Sequence, residues 1–359
     1  MSKIIVGLSG GVDSAVTAYL LKAAGHDVIG VTLKTWIGGN GELSRCCEID
    51  DARRISYKLD IPYYAVNCAG EFRENVIEPF IHSYINGMTP NPCVVCNTAL
   101  KWDRMLEFAD SQNADYIATG HYASVVRLEN GRYTVRNADY AEKDQTYMLY
   151  RLTQKQLSRT IMPLGKLSKN EVRAIAASAN LPVANKPDSQ EICFVTSGSY
   201  ADFILDNTDD YTPQEGNFVD ENGNILGRHK GIINYTVGQR KGLGIALGRP
   251  MYVKFIDAEK NEVVLCDDTS LYTDTVFCNK PVFQSIENIE KGQSIRASAR
   301  IRYRHKAQAA VITRISDDQL KIDFDKPVRA PAPGQSAVIY NENGCVVGGG
   351  VIINNRGQK

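Results

Sequence analysis

Residues 9–14 read S-G-G-V-D-S, a combination of residue types suited to holding phosphate. Glycines let the backbone approach a ligand closely, and backbone N–H groups at the start of a helix bind anions. An apolar run precedes this segment at 4–8 and helix formers follow it at 15–24, which predicts a strand, a loop and a helix. Because the segment lacks the Walker G-K-S/T and the dinucleotide G-x-G-x-x-G, the sequence predicts a phosphate-binding loop outside those two classes.

Cysteines form the second group of residues with reactive side chains. Cys93 and Cys96 follow Asn91 and Pro92, a pair that is typical of the start of a helix. A thiol in the first turn of a helix ionises more readily, which suits a nucleophile. Cys193 is a third candidate, and a single C-x-x-C pair is weak evidence for zinc, which needs four ligands. The cysteines that we interpret as small buried residues are Cys68, Cys266, Cys278 and Cys345.

Composition and charge limit the class of protein. The chain has 359 residues with 41 basic and 41 acidic side chains, which gives a formal net charge of zero. That balance argues against sequence-independent binding of polyanions, which leaves a basic footprint. The sequence contains no apolar run of the ~18–20 residues that span a bilayer and no signal or transit pattern near its N-terminus. We therefore expect a cytoplasmic protein with reduced thiols and no membrane partner.

Strand and helix patterns alternate over the first half of the chain. Strands are predicted at 28–33, 63–66 and 115–119, and helices at 51–60 and 71–86. A capping box at Ser168 and Glu171 predicts a further helix that ends before Pro182. The alternation predicts an α/β domain with a doubly wound parallel sheet.

The second half of the chain has a different composition. After about residue 205 an acidic, turn-rich stretch at 206–224 precedes a glycine-rich, strand-like region. Short strand candidates then follow at 294–303, 309–315, 320–324, 336–340 and 346–353, with a hairpin signal at Asn343-Gly344. The expected organisation is an α/β domain over 1–205, a small β-rich middle domain over 206–274 and a C-terminal β-barrel over 275–359.

Short segments in one order along the chain carry a resemblance to a known family. They are G-L-S-G-G-V-D-S at 7–14, N-P-x-x-x-C-N at 91–97, T-G-H-Y at 119–122, K-D-Q-T-Y at 143–147, S-Q-E-I-C-F at 189–194, G-Q-R-K-G-L-G at 238–244, R-Y-R at 302–304 and P-G-Q at 333–335. The first resembles the PP-loop of ATP pyrophosphatases, of the adenine nucleotide alpha hydrolase-like fold, which clamps the pyrophosphate of ATP during adenylation. Together they resemble the tRNA-specific 2-thiouridylases, which place sulfur on C2 of the wobble uridine, position 34.

The resemblance implies roles for individual residues. It implies an ATP site at Gly7, Leu8, Ser9, Gly10, Gly11, Val12, Asp13, Ser14, Leu33 and Gly120. It implies tRNA contacts at Asn91, Pro92, Cys93, His121, Lys143, Asp144, Gln145, Arg302, Tyr303 and Gln335. Cys193 would carry a persulfide and Cys96 would be the nucleophile, and the two could form a transient disulfide. Mg²⁺ would accompany ATP, and a cysteine desulfurase or a relay protein would deliver the sulfur.

The second half of the chain contains two basic stretches that overlap these motifs only in part. Each contains no acidic residue, and their members are Arg296, Arg300, Arg302, Arg304 and Lys306, and Arg228, Lys230, Arg240, Lys241 and Arg249. Such stretches also occur on solvated faces whose counter-charges come from elsewhere in the fold. Arginine beside an aromatic residue such as Tyr303 suits RNA phosphate contact and base stacking, so with the resemblance we predict RNA contact.

One departure from the family leaves alternatives open. The family usually has Asp where this chain has Cys93, so Cys93, Cys96 and Cys193 could instead be thiolate ligands of an iron–sulfur cluster. Another PP-loop ligase acting on a small metabolite would explain 9–14 but would leave Cys96 and Cys193 without a role. A non-catalytic RNA- or zinc-binding module would leave the glycine loop without one. The persulfide enzyme gives a role to more of these residues than any of the alternatives does. It includes no metal site.

Overall fold

The computed structural model describes residues 1–36, 48–187, 192–196, 198–209 and 211–354. Cys46, Cys47 and positions 189–191 of the S-Q-E-I-C-F segment lie outside the described residues. The strands are β1 Lys3–Gly7, β2 Asp27–Lys34, β3 Tyr63–Asn67, β4 Tyr116–Ala118, β5 Ala123–Arg127, β6 Tyr133–Asn137, β7 Thr160–Ile161, β8 Gly216–Val219, β9 Ile225–His229, β10 Tyr252–Asp257, β11 Glu262–Cys266, β12 Tyr272–Phe283, β13 Ser294–Arg300, β14 Gln308–Ser316, β15 Gln319–Arg329, β16 Ser336–Tyr340 and β17 Val346–Ile352.

Helices cover the first sheet and connect its strands. The α-helices are α1 Val12–Ala23, α2 Ile49–Leu59, α3 Ala69–Phe72, α4 Glu78–Ile85, α5 Pro92–Cys96, α6 Trp102–Ser111, α7 Gln154–Ser158, α8 Lys169–Ser178 and α9 Tyr200–Asp206. The π-helical turns Arg73–Ile77 and Asn97–Lys101 continue α3 into α4 and α5 into α6. Short 3-10 turns are Ala141–Lys143, Thr146–Met148, Pro163–Lys166, Ile232–Asn234 and Asp268–Leu271.

The first sheet is parallel, with the strand order β3-β2-β1-β4-β7. Ile4, Ile5 and Val6 of the central strand are fully buried, as a strand covered by helices on both faces requires. Because β2 and β4 flank β1 on opposite sides, the carboxyl ends of β1 and β4 border the crevice where ligands bind in such sheets. The predicted doubly wound α/β domain is confirmed.

Two helices, α5 and α8, begin at the capping residues that the sequence predicted. The Ser168 hydroxyl accepts a hydrogen bond from the Glu171 N–H, and the Glu171 carboxylate accepts one from the Ser168 N–H, which closes the capping box of α8. The Asn91 side chain accepts from the Val94 N–H and thereby begins α5 at Pro92. The helix start that Asn91 and Pro92 predicted is therefore confirmed.

The second half of the chain forms two further β-structures. Strands β8 to β11 form a sheet with the order β10-β11-β8-β9, and the strands β12-β15-β14-β13-β16-β17 close into a barrel. The predicted hairpin at Asn343-Gly344 joins β16 to β17. The strand predicted at 294–303 ends at Arg300, because Arg302 leaves the ladder and donates to the carbonyl oxygens of Val237 and Ala330. The predicted middle β-domain and C-terminal barrel are confirmed as architecture.

The barrel packs on the first domain through a shared core. Val338, Tyr340 and Val346 of the barrel belong to the same buried cluster as Tyr147 and Tyr150. The Tyr147 hydroxyl donates to the Ser336 carbonyl oxygen at 2.8 Å. No helix among the described residues has the combination of length and apolar character that a bilayer crossing demands.

Gln284 holds the polar part of this contact. Its Nε2 donates to the carbonyl oxygens of Leu149 and Leu152, at 2.8 and 3.3 Å. Its Oε1 accepts from the Val135 N–H at 3.1 Å and from the Thr134 hydroxyl at 3.2 Å. Because the Gln284 side chain is buried, water cannot supply these hydrogen bonds to its partners if the amide is removed.

We predict that Gln284→Leu lowers the free energy of unfolding by about 2–4 kcal/mol, because buried donors and acceptors lose their partners. Urea unfolding followed by tryptophan fluorescence measures the change. The control is Gln214→Leu, at an exposed position, for which we expect a change within about 0.5 kcal/mol. Equal stability of the two variants would contradict the assignment of Gln284.

Candidate active site

The glycine loop joins β1 to α1 at the crevice of the parallel sheet. The Ser14 hydroxyl donates to the Gly11 carbonyl oxygen at 3.0 Å and accepts from the Ser9 N–H at 3.2 Å. The two serine hydroxyls lie 3.2 Å apart. Gly10 has a φ of +78°, a conformation that favours glycine. These contacts fold the loop across the N-terminal end of α1, where backbone N–H groups attract an anion.

Gly120 brings the end of β4 against this loop. A Cβ atom at Gly120 would lie 2.8 Å from the backbone carbon of Asp13 and 2.9 Å from the backbone nitrogen of Ser14. Backbone atoms cannot yield as a flexible side chain can, so only glycine allows this approach. The predicted ATP-site residues on either side of the crevice are therefore in contact.

Asp13 is held by two donors from other elements. The Lys169 ammonium group at the start of α8 lies 2.8 and 2.9 Å from its two carboxylate oxygens. The Tyr122 hydroxyl donates to Oδ1 at 2.7 Å. Lys169 retains 12% of its side-chain exposure, so this charge pair is poorly screened by solvent.

A second lysine supports the loop from its other side. The Lys186 ammonium group donates to the Gly10 carbonyl oxygen at 3.2 Å and to Asp51 at 2.5 Å, and it also contacts the Glu48 carboxylate. Asp51 lies in the first turn of α2. The loop is thus fixed between two lysine-centred ion pairs.

A cavity of about 240 Å³ opens in front of the glycine loop. Its lining combines loop, sheet and helix residues: Gly7, Leu8, Ser9, Asp13, Ser14, Val31, Leu33, Thr35, Lys101, Met105, Thr119, Gly120, His121 and Gln145. The apolar wall formed by Val31, Leu33 and Met105 suits a nucleobase, and the serines and lysine suit phosphates. The predicted residues Gly10, Gly11 and Val12 belong to the loop but do not line this cavity.

His121 lies on the cavity wall as a neutral imidazole. Burial, with a smaller contribution from the Lys101 ammonium group, lowers the pKa of His121 to about 3. Its Nδ1 lies 2.9 Å from the Thr119 hydroxyl, and its ring lies 5.5 Å from that of Trp102. His121 thus lines the cavity in front of the glycine loop, hereafter the nucleotide cavity, whereas the resemblance implies a tRNA contact for this residue.

Gln145 connects the cavity to the residues beside the glycine loop. Its Oε1 accepts from the Tyr122 N–H at 2.9 Å, and its own N–H donates to the Tyr122 carbonyl oxygen at 3.0 Å. Tyr122 in turn holds Asp13 through its hydroxyl. Lys143, in the 3-10 turn that precedes Gln145, is half-buried.

Cys96 and Cys193 pack in one apolar cluster. Cys96 is buried in it, and the half-buried Cys193 packs against it together with its neighbour Ile192. Leu33 packs against the same cluster and also lines the nucleotide cavity, so the two sites share a wall. Cys68 is buried in this cluster as well, and burial raises its pKa to about 11.

Cys93 lies outside that cluster. Its side chain is exposed. The described residues, which include all three candidate thiols, contain no group of three His, Cys, Asp or Glu side chains placed to hold one metal ion.

Residues of the barrel position the segment before Cys93. The Gln335 side-chain amide donates to the carbonyl oxygens of Thr89 and Pro90, at 2.9 and 3.1 Å. Asn91 caps α5, and Asn97 donates to the Met148 carbonyl oxygen at 3.1 Å. Gln335, which the resemblance assigned to tRNA, thus holds the chain next to Asn91 and Pro92.

The first basic stretch is largely paired inside the protein. Arg296 forms an exposed pair with Asp325, Arg300 forms a buried pair with Asp144, and Arg302 donates to the carbonyl oxygens of Val237 and Ala330. The fold thus supplies partners for these three side chains, and the predicted RNA contact of the stretch stays a prediction. Besides Arg296, the exposed basic residues of the two stretches are Arg304, Lys306, Arg228, Lys230, Arg240, Lys241 and Arg249.

Sequence reasoning missed two lysines of the site. Lys101 lines the nucleotide cavity and donates to the Asn97 side chain at 3.1 Å, and Lys169 pairs with Asp13. The capping box identified the start of α8 correctly. No local signal, however, indicated that the first residue of α8 faces the glycine loop, because that contact spans 156 positions.

Comparisons with known proteins match the whole described arrangement. The family described as tRNA methyl transferase HUP domain matches residues 2–197, the tRNA methyl transferase PRC-barrel domain matches 202–267, and the aminomethyltransferase beta-barrel domain matches 274–352. The chain is 52% identical over 363 residues to the tRNA-specific 2-thiouridylase MnmA of Lachnoclostridium phytofermentans, covering 98% of this chain and 100% of the relative. It is 48% identical over 359 residues to the tRNA-specific 2-thiouridylase MnmA 1 of Thermoanaerobacter pseudethanolicus, covering 98% of each chain.

Likeness to solved structures is much weaker. A U34-tRNA thiolase of Methanococcus maripaludis, described with an iron–sulfur cluster, has a TM-score of 0.36 and 23% identity. It covers 58% of this chain and 65% of the other. Similarity this partial decides nothing about the chemistry of this chain.

We predict that Gly120→Ala lowers the affinity for ATP, the ligand that the glycine loop predicts, by at least ~10-fold, because the new methyl group must displace the backbone of α1. Isothermal titration calorimetry measures the dissociation constant. The control is Gly70→Ala, where a Cβ atom meets nothing within 4 Å in a helix. Unchanged affinity in the Gly120 variant would contradict the close approach.

His121 gives a prediction about pH. Because its pKa lies below the ordinary value in the folded protein, only the unfolded chain binds the extra proton, and the free energy of unfolding falls as pH drops below about 6.5. His121→Asn should reduce this loss between about pH 7.5 and pH 5, as measured by urea unfolding. The exposed His82→Asn is the control. Identical pH dependence in the His121 variant and the wild type would refute the prediction.

Proposed function

The chain belongs to the family of tRNA-specific 2-thiouridylases, and we propose that it uses ATP and a persulfide sulfur to convert the wobble uridine of tRNA into 2-thiouridine, with AMP and pyrophosphate as products. The observation that carries the proposal is the wall shared by the nucleotide cavity and the cluster of Cys96 and Cys193. Adenylation and sulfur transfer act on one base, so their sites must adjoin.

ATP binds with its phosphates at the glycine loop. The N-terminus of α1, the Ser9 and Ser14 hydroxyls and the lysines at the cavity supply donors that stabilise the pyrophosphate as it leaves. Leu33 and Gly120 border the space for the adenosine. Mg²⁺, which prefers oxygen ligands, would accompany the phosphates of ATP and balance part of their charge, whereas the Asp13 carboxylate is already engaged by Lys169 and Tyr122.

Adenylation makes the uridine reactive. The C2 oxygen of the base attacks the α-phosphorus of ATP and displaces pyrophosphate, so that AMP becomes the leaving group at C2. Asn91, Pro92 and Cys93 border the position of the base, at the N-terminus of α5. The base must leave the anticodon stack to reach them.

Two thiols then deliver the sulfur. Cys193 carries the persulfide, and its terminal sulfur, or sulfide released from it by the Cys96 thiolate, attacks C2 and expels AMP. Cys96 attacks the inner sulfur of Cys193, and the resulting Cys96–Cys193 disulfide balances the two electrons that the transferred sulfur gains. A thiol reductant restores both cysteines, and a donor protein such as a cysteine desulfurase reloads Cys193.

The other residue roles that the resemblance implies remain predictions. Lys143, Tyr303 and the exposed basic residues are candidates for contact with the anticodon stem-loop. The tRNA contacts that the resemblance implies for His121, Asp144, Gln145, Arg302 and Gln335 also stay predictions, and each of these side chains makes contacts inside the protein as well. The domain boundaries at 205/206 and 274/275 and the cytoplasmic location stay predictions.

Release of pyrophosphate separates the proposal from its alternatives. We expect release from ATP that is stimulated by tRNA and not by small amines. Stimulation by an amine alone would favour a ligase, and no release under either condition would favour a binding module. Iron and acid-labile sulfide analysis of anaerobically purified protein adds a second criterion, since activity that tracks iron content would favour the cluster mechanism over the persulfide mechanism.

We predict that Cys96→Ala and Cys193→Ala each lower 2-thiouridine formation by at least ~100-fold, because each removes one sulfur of the transfer. Mass spectrometry of nucleosides from digested tRNA measures the product. Cys68→Ala is the matched control: its thiol lies in the same cluster but stays protonated, so we expect thiolation to persist. Normal thiolation in either of the first two variants would remove that cysteine from the mechanism.

A further inference from the structure

Asp144 is a buried carboxylate whose charge is balanced by the barrel. Its Oδ1 accepts from the Arg300 guanidinium at 3.0 Å and from the Thr146 hydroxyl at 2.7 Å, and its Oδ2 accepts from the Ala138 N–H at 2.9 Å. The side chains of Arg300 and Asp144 retain 14% and 1% of their exposure. Neither charge is therefore available to an RNA surface.

Arg300 is fixed on its own side of the contact. It is the last residue of β13, and its guanidinium lies 5.0 Å from the centre of the Tyr340 ring in the neighbouring strand β16. Tyr340 belongs to the core that the barrel shares with the first domain. A guanidinium held by a ring and a carboxylate has little conformational freedom. The position of the Arg300 side chain therefore follows the position of the barrel.

The other side of Asp144 leads to the nucleotide cavity. Gln145, the next residue, lines the cavity and holds the Tyr122 backbone through two hydrogen bonds. Tyr122 donates to Asp13 in the glycine loop. One ion pair, one peptide link and two sets of hydrogen bonds thus connect a barrel strand to the loop that holds phosphate.

We propose that Arg300 is a positioning residue for the ATP-dependent step: by holding Asp144, it sets the geometry of Gln145 and Tyr122 at the nucleotide cavity. Because Arg300 belongs to the barrel, the nucleotide site is complete only when the barrel is docked on the first domain. This inference rests on the proposed function and adds to it a residue that contacts neither ATP nor tRNA.

The experiment compares Arg300→Gln with Arg329→Gln in the full chain. Arg329 is the matched control: it also ends a barrel strand, pairs with a carboxylate, that of Asp268 at 2.8 Å, and lies 5.0 Å from the centre of a tyrosine ring, that of Tyr252. None of these three residues lines the nucleotide cavity. For Arg300→Gln we expect tRNA-stimulated pyrophosphate release to fall ~10- to 100-fold through kcat and the KM for ATP. The affinity for tRNA, measured by fluorescence anisotropy, should stay within about twofold, and Arg329→Gln should leave kcat and the KM for ATP unchanged.

Two further variants guard against misfolding. Breaking a buried pair leaves an uncompensated charge, whereas the double variant Arg300→Gln/Asp144→Asn removes both charges. If Arg300 acts through Asp144, the double variant loses no more activity than Arg300→Gln alone. Arg300→Lys keeps the charge and should recover part of the activity. Hydrogen exchange of the peptides that contain Tyr122 and Gln145 should be faster in Arg300→Gln than in Arg329→Gln.

Three results would overturn the inference. The first is a loss of tRNA affinity in Arg300→Gln with unchanged ATP parameters, which would make Arg300 an RNA contact. The second is an equal change of kcat and of the KM for ATP in Arg300→Gln and Arg329→Gln. The third is unchanged hydrogen exchange at Tyr122 and Gln145 together with lost activity. If the wild type itself shows no tRNA-stimulated release, the proposed function fails instead.

Discussion

The buried contact between the barrel and residues 144–150 is the constraint on which the rest of the site depends. It joins an apolar core containing Tyr147 and Tyr150 to a set of buried polar groups on Asp144 and Gln284. Burial without water makes each of these polar contacts obligatory, since an unmade one costs about 1–3 kcal/mol. The contact therefore fixes the barrel on the α/β domain in one orientation.

From that orientation two distant parts of the site acquire their positions. On one side the barrel reaches Thr89 and Pro90 through Gln335, and so fixes the start of the helix that carries Cys96. On the other side the pair of Arg300 and Asp144 borders the residues that line the nucleotide cavity. Activation of a base and transfer of sulfur to it need both parts at one place, which a loosely tethered RNA-binding domain would not provide.

The basic residues behind the zero net charge differ in where the fold places them. A net charge of zero hides three kinds of basic residue: those that support the glycine loop, those that join domains and those that stay exposed. Lys169 and Lys186 are of the first kind, Arg300 and Arg302 of the second, and Arg240 and Lys241 of the third. The third kind is exposed to solvent, so a net charge of zero is compatible with contact to RNA phosphates through a few placed charges.

Local sequence signals determined the elements and the reactive groups of this protein. The S-G-G-V-D-S loop, the Asn91 cap, the capping box at Ser168 and the hairpin at Asn343-Gly344 each act within a few residues, so their structures could be predicted without the fold. The tertiary structure alone decided which of the predicted RNA residues face inward. Asp144 and Arg302 look like surface charges in the sequence, but their partners lie 156 and 65 positions away. A charge is buried or exposed according to which distant group neutralises it, and no local pattern records that choice.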